Sequence, residues 1–269
     1  MRGASRASYL ELRDRLDAVA GAAGTAENIG DQLFAVVRLL DAEHGLRRAL
    51  ADSTKPSHEK SDVTRRLLHG KVTRATEDLV ADAAAARWAT STDLADALEQ
   101  LAIEALAVAA QYGGTLDDLE DDLFRFGRVV AGTPGLRAAL IGPTGPAAKA
   151  SLLENLLSAK VSGAALSLLT QVLTHPRGRS PQAVLDLAAG IAARRREQLI
   201  AVVRVATELS AAQRRRLLAA LTATYGQGIH LNVVHDPTVV GGVSIQIGDE
   251  LIDGTAASRL AVVRRKLAG

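Results

Sequence analysis

The chain has 269 residues, 48% of them hydrophobic and only 3% aromatic, with a net charge of +2 and no cysteine. That length suffices for two or three domains with ample core, while the missing cysteines exclude disulfides, thiolate catalysis and cysteine-ligated zinc together. The charge is too near zero, and its signs too interspersed, to argue for nucleic acid.

From Met1 the sequence runs directly into charged residues as far as Asp17, leaving no apolar core for a signal peptide. The most apolar run, residues 101–110, is short and carries Glu104; a bilayer span needs about 20 apolar residues. A soluble chain is expected, one that meets a membrane only through a partner.

Leu12, Leu16 and Val19 mark a first amphipathic helix, ended by the Gly21 to Gly24 stretch. Thr25 is a candidate cap for a second, with Ile29, Leu33, Val36, Val37 and Leu40 on its apolar side. Leu46 and Leu50 belong to a short segment before the polar loop at Ser53 to Ser57. Val63, Leu67 and Leu68 form the next helical set, then Leu79, Val80 and Ala83 to Ala86, with Trp88 following on that helix. A long helix is expected from Asp93 through Leu94, Leu98, Leu101, Leu106 and Val108 to Tyr112, stopped by Gly113 and Gly114.

There the pattern restarts. Ala23-Gly-Thr-Ala-Glu-Asn-Ile-Gly-Asp-Gln-Leu-Phe34 reads against Gly113-Gly-Thr-Leu-Asp-Asp-Leu-Glu-Asp-Asp-Leu-Phe124, and Gly45-Leu-Arg-Arg-Ala-Leu50 against Gly135-Leu-Arg-Ala-Ala-Leu140, both displaced by 90 positions. Lys60, Leu67-Leu68 and Lys71-Val72 match Lys149, Leu156-Leu157 and Lys160-Val161 at a displacement of 89, so one residue is lost in a loop. Because Leu16 also matches Leu106, the helix over 93–112 serves as the last helix of one copy and the first of the next. Residues 1–112 and 93–198 are therefore expected as two tandem, overlapping helical bundles.

Ser180-Pro181 supplies a cap and a first-turn proline for a helix carrying Val184, Leu187 and Ile191. Leu199 to Val205 is rich in β-branched residues and reads as a strand, and Ser210-Ala-Ala-Gln213 is a capping box for a helix with Leu217, Leu218, Leu221 and Tyr225 inward. Ile229, Leu231 and Val233 alternate with polar residues, as do Val243, Ile245 and Ile247. Asp236-Pro237 breaks the first of these strands, Gly241-Gly242 opens the second where positive φ is easiest, and Gly248-Asp249 is a tight turn into Leu251-Ile252. After Asp253-Gly254, Thr255 caps a helix bearing Ala256, Leu260, Val263 and Leu267. The whole is mainly α with a small C-terminal α/β domain, residues 199–269, of order β-α-β-β-β-α.

Taken in order, Asp236-Pro237, Val240-Gly241-Gly242-Val243, Ile247-Gly248-Asp249, Ile252-Asp253-Gly254-Thr255 and Arg259-Leu260 resemble the C-terminal signature of the F-type ATP synthase delta subunit, the oligomycin-sensitivity-conferring family. Ser5-Arg-Ala-Ser-Tyr9 is similar to a degraded form of the family's Arg-Tyr-containing first helix, and the duplicated bundle resembles actinobacterial members. The resemblance implies a non-catalytic stator subunit without cofactor or metal. Its helical part would bind the alpha subunits of the catalytic head, with the beta subunits as further candidates. Its C-terminal domain would bind a separate b-type stalk chain, at the cytoplasmic face of the cell membrane. A tandem-helical adaptor unconnected with energy coupling is the rival reading.

No catalytic constellation competes. Gly142-Pro-Thr-Gly-Pro-Ala-Ala-Lys149 lacks phosphate-loop spacing, and its prolines remove N–H donors. Ser244 has Gln246 where a nucleophile elbow needs glycine. His58-Glu59 lacks the second histidine of a metal helix, and His235 and Asp236 would point to opposite faces of a strand. The clusters Arg194 to Arg196, Arg214 to Arg216 and Arg264 to Lys266 read as solvated helix faces, with protein contact as the next reading.

Overall fold

The computed structural model describes residues 1, 3–196, 199–207, 209–225, 229–236, 239, 241–247 and 250–253. The chain divides into two compact units, Met1–Arg195 and Arg196–Gly269.

The first unit is all helix: α1 (Gly3–Val19), α2 (Ala23–Ala42), α3 (His44–Ala51), α4 (Ser57–Leu68), α5 (Arg74–Ala85), α6 (Ser91–Tyr112), α7 (Leu116–Gly132), α8 (Pro134–Ile141), α9 (Pro146–Leu157), α10 (Gly163–Thr174) and α11 (Pro181–Arg196). Three pairs of helices related by the sequence displacement agree in length, while α2 with 20 residues and α7 with 17 differ. Both α3 and α8 have 8 residues, and α4, α9, α5 and α10 have 12 each. Lys60 and Lys149, equivalent in the repeat, are both buried.

Local chemistry sets the ends of α6. Thr90 is extended and its side chain accepts from the Asp93 N–H at 3.2 Å, a cap that contributes on the order of 1 kcal/mol. At the other end Gly114 takes φ 71, the Thr115 N–H donates to the Ala110 carbonyl at 2.8 Å, and the Gly114 N–H donates to that of Gln111 at 3.2 Å. That pair of bonds is a Schellman stop, which requires the left-handed conformation glycine adopts without strain.

Leu94, Leu98, Leu101, Ile103, Leu106 and Val108 are all buried although they surround the axis of α6. The helix packs against α1, α2, α3 and α5 and also against α7 and α10. One continuous apolar core runs from Tyr9 through Leu101 to Ala192. Polar pins fix α1 to the approach of α6: Ser5 Oγ donates to Asp93 at 2.7 Å and accepts from the Ala89 N–H at 2.9 Å. Ser8 Oγ donates to the Arg87 carbonyl at 2.9 Å.

Three local details differ from expectation. Helix α2 begins at Ala23, because extended Ala22 already accepts from the Ala26 N–H, so Thr25 lies inside the helix. Trp88 lies beyond the end of α5, and its Nε1–H reaches back to the Ala83 carbonyl at 2.7 Å. Val19, at the end of α1, is 41% exposed rather than packed.

The second unit is described through β1 (Leu199–Val205), α12 (Ala211–Tyr225), β2 (Ile229–His235), β3 (Val243–Ile247) and β4 (Glu250–Asp253). The sheet order is β2-β1-β3-β4, with β1 parallel to β2 and antiparallel to β3, and β3 antiparallel to β4. Alternation puts Ala201, Val203, Val205, Leu231, Ile245 and Ile247 into one core with Leu221 of α12. Ser210 and Gln213 form the reciprocal box that opens α12, at 2.9 and 3.3 Å. The helix expected after Thr255 lies outside the described residues.

Candidate functional site

The described signature residues gather at the ends of the C-terminal strands. Asp236 follows β2, where its N–H donates to the Val205 carbonyl at 2.9 Å and its own carbonyl accepts from the Val239 N–H at 3.1 Å. The Gly241 N–H then donates to the Val239 carbonyl at 3.1 Å. Gly241 and Gly242 take φ 63 and 89, the left-handed region. Asp253 ends β4 opposite Ser244 of β3. The structure thus brings Asp236, Gly241, Gly242 and Asp253 into one small strand-and-turn unit. Pro237, Gly248, Asp249, Gly254, Arg259 and Leu260 lie outside the described residues.

A second cluster, in the helical unit, has no counterpart in the sequence reading. The link between α10 and α11 turns at Pro176-Arg177-Gly178-Arg179. Arg177 and Gly178 have φ 53 and 75, and the Arg179 N–H donates to the Pro176 carbonyl at 3.0 Å. Two successive positive φ values define a type I′ turn, in which a non-glycine residue is strained. The Arg177 guanidinium is held by Asp41 of α2 at 2.6 Å and by Asp96 and Glu99 of α6 at 2.8 and 2.9 Å. Glu99 is 2% exposed and also pairs with Arg179. Carboxylates and hydrogen bonds hold the Arg177 guanidinium above its ordinary range, outweighing the burial that opposes its charge.

A cavity of about 370 Å³ adjoins this turn, lined by Phe34, Val37, Arg38, Gln171, His175 and the Arg177 network. Burial, and next the Arg38 charge, push the His175 imidazole below its ordinary range, so its neutral form is favoured.

The third cluster lies where α1, α6 and α11 meet. Tyr9 donates to Glu104 at 3.2 Å. Burial is the main cause that raises both groups above their ordinary ranges, the Glu104 carboxyl against the pull of Arg195 and Arg13. Arg195 donates to Gln111 at 2.9 Å and to Asp17 at 2.6 Å. Arg195 therefore departs from the solvated face expected for its triplet: it is buried, whereas Arg194 and Arg196 are exposed.

These clusters join helices, and the Arg177 network also lines the cavity beside α2 and α10. Each buried carboxylate with a resolved partner faces an arginine, a tyrosine or a backbone N–H donor on another element. Such networks fix which helix faces meet. The combination defined here is a helical scaffold in its first unit and a small mixed α/β unit with glycine-shaped turns in its second.

A profile for the "ATP synthase delta (OSCP) subunit" matches residues 103–267. ATP synthase subunit delta of Thermobifida fusca is 49% identical over 272 residues, covering 100% of both chains. That of Streptomyces griseus is 44% identical over 271 residues, again covering both fully, and that of Kineococcus radiotolerans is 44% identical over 269, covering 99% of this chain and 98% of its own. The chain belongs to the ATP synthase delta (OSCP) family, whose members are non-catalytic subunits of the peripheral stalk. No helix among the described residues is long and apolar enough to cross a membrane, and the complex to which the family belongs is membrane-associated.

Proposed function

We propose that this chain is the stator link that ties the alpha subunits of the catalytic head to the b-type stalk at the cytoplasmic face of the membrane. The observation that carries the reading is the end-to-end match to delta subunits, which includes both the helical part and the C-terminal unit. In this reading residues 1–112 and 93–198 act as two bundles sharing α6, and engage the head. Residues 199–269 engage b through the unit that holds Asp236, Gly241, Gly242 and Asp253.

A stator must resist torque without yielding between its parts. A helix buried on all sides and shared by both bundles supplies that stiffness, because a packed interior has no slack through which one bundle could rotate against the other. The Arg177 and Arg195 networks add directional ties between residues distant in sequence.

The test is depletion and add-back. Membrane vesicles stripped of this chain should hydrolyse ATP at the head while losing ATP-driven proton uptake, and the purified chain should restore the uptake. It should also co-purify with alpha and b. Coupling that is unchanged by depletion would overturn the proposal.

A further inference from the structure

The repeat brings one chemically specific face into view twice, once occupied and once bare. On α2, Asp31, Phe34 and Arg38 lie at helical spacing along one stripe and meet α10. Arg38 Nη1 donates to Gln171 Oε1 at 3.0 Å, and Gln171 Nε2 donates to Asp31 Oδ1 at 3.2 Å. The carboxamide of Gln171 is read at both its ends, beside a Phe34 ring that is 4% exposed. Displaced by 90 positions, α7 carries the same three residues at the same spacing: Asp121, Phe124 and Arg128. All three are exposed, and Phe124 is 62% exposed.

We infer that the Asp121–Phe124–Arg128 face of α7 docks a helix of another polypeptide of the complex, one that presents a glutamine or asparagine as α10 presents Gln171 to α2. The inference rests on the stator reading for its setting, and on the occupied α2 face for its chemistry. Phe124 supplies the apolar contact. Arg128 and Asp121, two helical turns apart, supply a donor and an acceptor matched to one side-chain amide. Asp121 is held by Arg125 at 3.1 Å, both side chains well exposed, an ion pair weak enough to be exchanged for the amide. Where α2 has Asp41 to bind Arg177, α7 has Ala131. The partner therefore needs no arginine six residues beyond its amide, where Arg177 follows Gln171.

A photo-crosslinking phenylalanine analogue at position 124, irradiated in the intact membrane complex, tests this directly. The expected adduct joins position 124 to a helix of another subunit within one turn of a glutamine or asparagine. An adduct with residues 199–269 of the same chain, with a second copy of it, or with no protein at all would overturn the inference, provided alpha and b are present in the sample. If the chain fails to associate with alpha and b, it is the stator reading that fails. Phe124→Ser combined with Arg128→Glu should weaken binding to the stripped complex on the order of tenfold. The melting of the isolated chain should stay unchanged, since both side chains are exposed. Unaltered binding would overturn the inference, and if the double variant melts lower the cross-link decides.

Discussion

Arg195, in the last turn of α11, forms a 2.6 Å ion pair with Asp17 near the end of α1, closing the helical unit across 178 positions. Arg195 is 2% exposed, so its charge depends on that partner and on Gln111. Removing one member leaves the other desolvated without compensation. Asp17→Ala should destabilise the helical unit by about 3–5 kcal/mol, read as a lower denaturant midpoint. Asp17→Leu combined with Arg195→Met should recover most of that loss, because the desolvation penalty leaves with the charges. A double variant as unstable as the single one would show that the pair contributes more than electrostatic balance.

The turn at Arg177 separates backbone strain from ion pairing. Arg177→Ala and Arg177→Gly both strip Asp41, Asp96 and Glu99 of a common cation, and each should cost about 3–5 kcal/mol. The glycine variant should be the more stable of the two by about 1 kcal/mol, since only it relieves the positive φ of 53. Urea unfolding of the two proteins side by side measures the difference, and equal stabilities would remove strain from the account.

Glu104 gives the helical unit a dependence on pH whose sign is fixed. Burial raises its carboxyl above the ordinary 4.5. A group with a raised folded-state value contributes stability that is fully present below the unfolded value and is lost as pH rises through the folded one. Glu104→Gln keeps an acceptor for Tyr9 and carries no charge to bury. The variant should therefore melt above the parent at about pH 8, with the gap closing as pH falls toward 4.5. Thermal scans across that range check it; a gap that widens on acidification would reverse the assignment.

Gly242 tests the C-terminal turn. Its φ of 89 lies where a β-branched residue is strained, so Gly242→Val should cost the second unit roughly 1–3 kcal/mol. Proteolysis should then cut within residues 199–253 at lower denaturant, while the helical unit's cleavage midpoint stays where it was. A shift of both midpoints together would indicate that the two units unfold as one.

What was legible in the sequence was local or repeated. Ser180 caps α11 through the Ala183 N–H, and Ser210 with Gln213 opens α12, because both motifs are complete within four residues. Helices α7, α8 and α9 were readable because the repeat shows the patterns of α2, α3 and α4 a second time. The Arg177 turn was not, since its partners lie 78 to 136 positions away and nothing local in His175-Pro-Arg-Gly-Arg179 names them. Arg195 misled for the same reason: the groups that bury it, Gln111 and Asp17, lie 84 and 178 positions away. The signature glycines were legible as turn residues, and the described pair, Gly241 and Gly242, takes the positive φ expected of it.

Two glycines of α2 carry opposite expectations. A Cβ built on Gly30 would lie 2.8 Å from Leu106 Cδ2, 3.0 Å from Leu106 Cγ and 3.2 Å from the Ala102 carbonyl, so α2 approaches α6 at a spacing only glycine permits. A Cβ on Gly24, in the first turn of the same helix, would meet nothing within 4 Å. Gly24→Ala should thus stabilise the protein by up to about 0.5–1 kcal/mol, through helix propensity and a less mobile unfolded chain. Gly30→Ala gains the same propensity but must push Leu106, itself buried, and the α6 backbone aside, at a cost of about 1–3 kcal/mol. The net effect should be destabilising. Leu106→Ala, which costs about 2–5 kcal/mol on its own, vacates the space that the new methyl requires. The double variant Gly30→Ala, Leu106→Ala should accordingly be more stable than Leu106→Ala alone, a coupling that a double-mutant cycle in urea would read directly. Simple additivity would mean that the helices separate instead of clashing, and that the close approach of α2 to α6 is not held by the core around it.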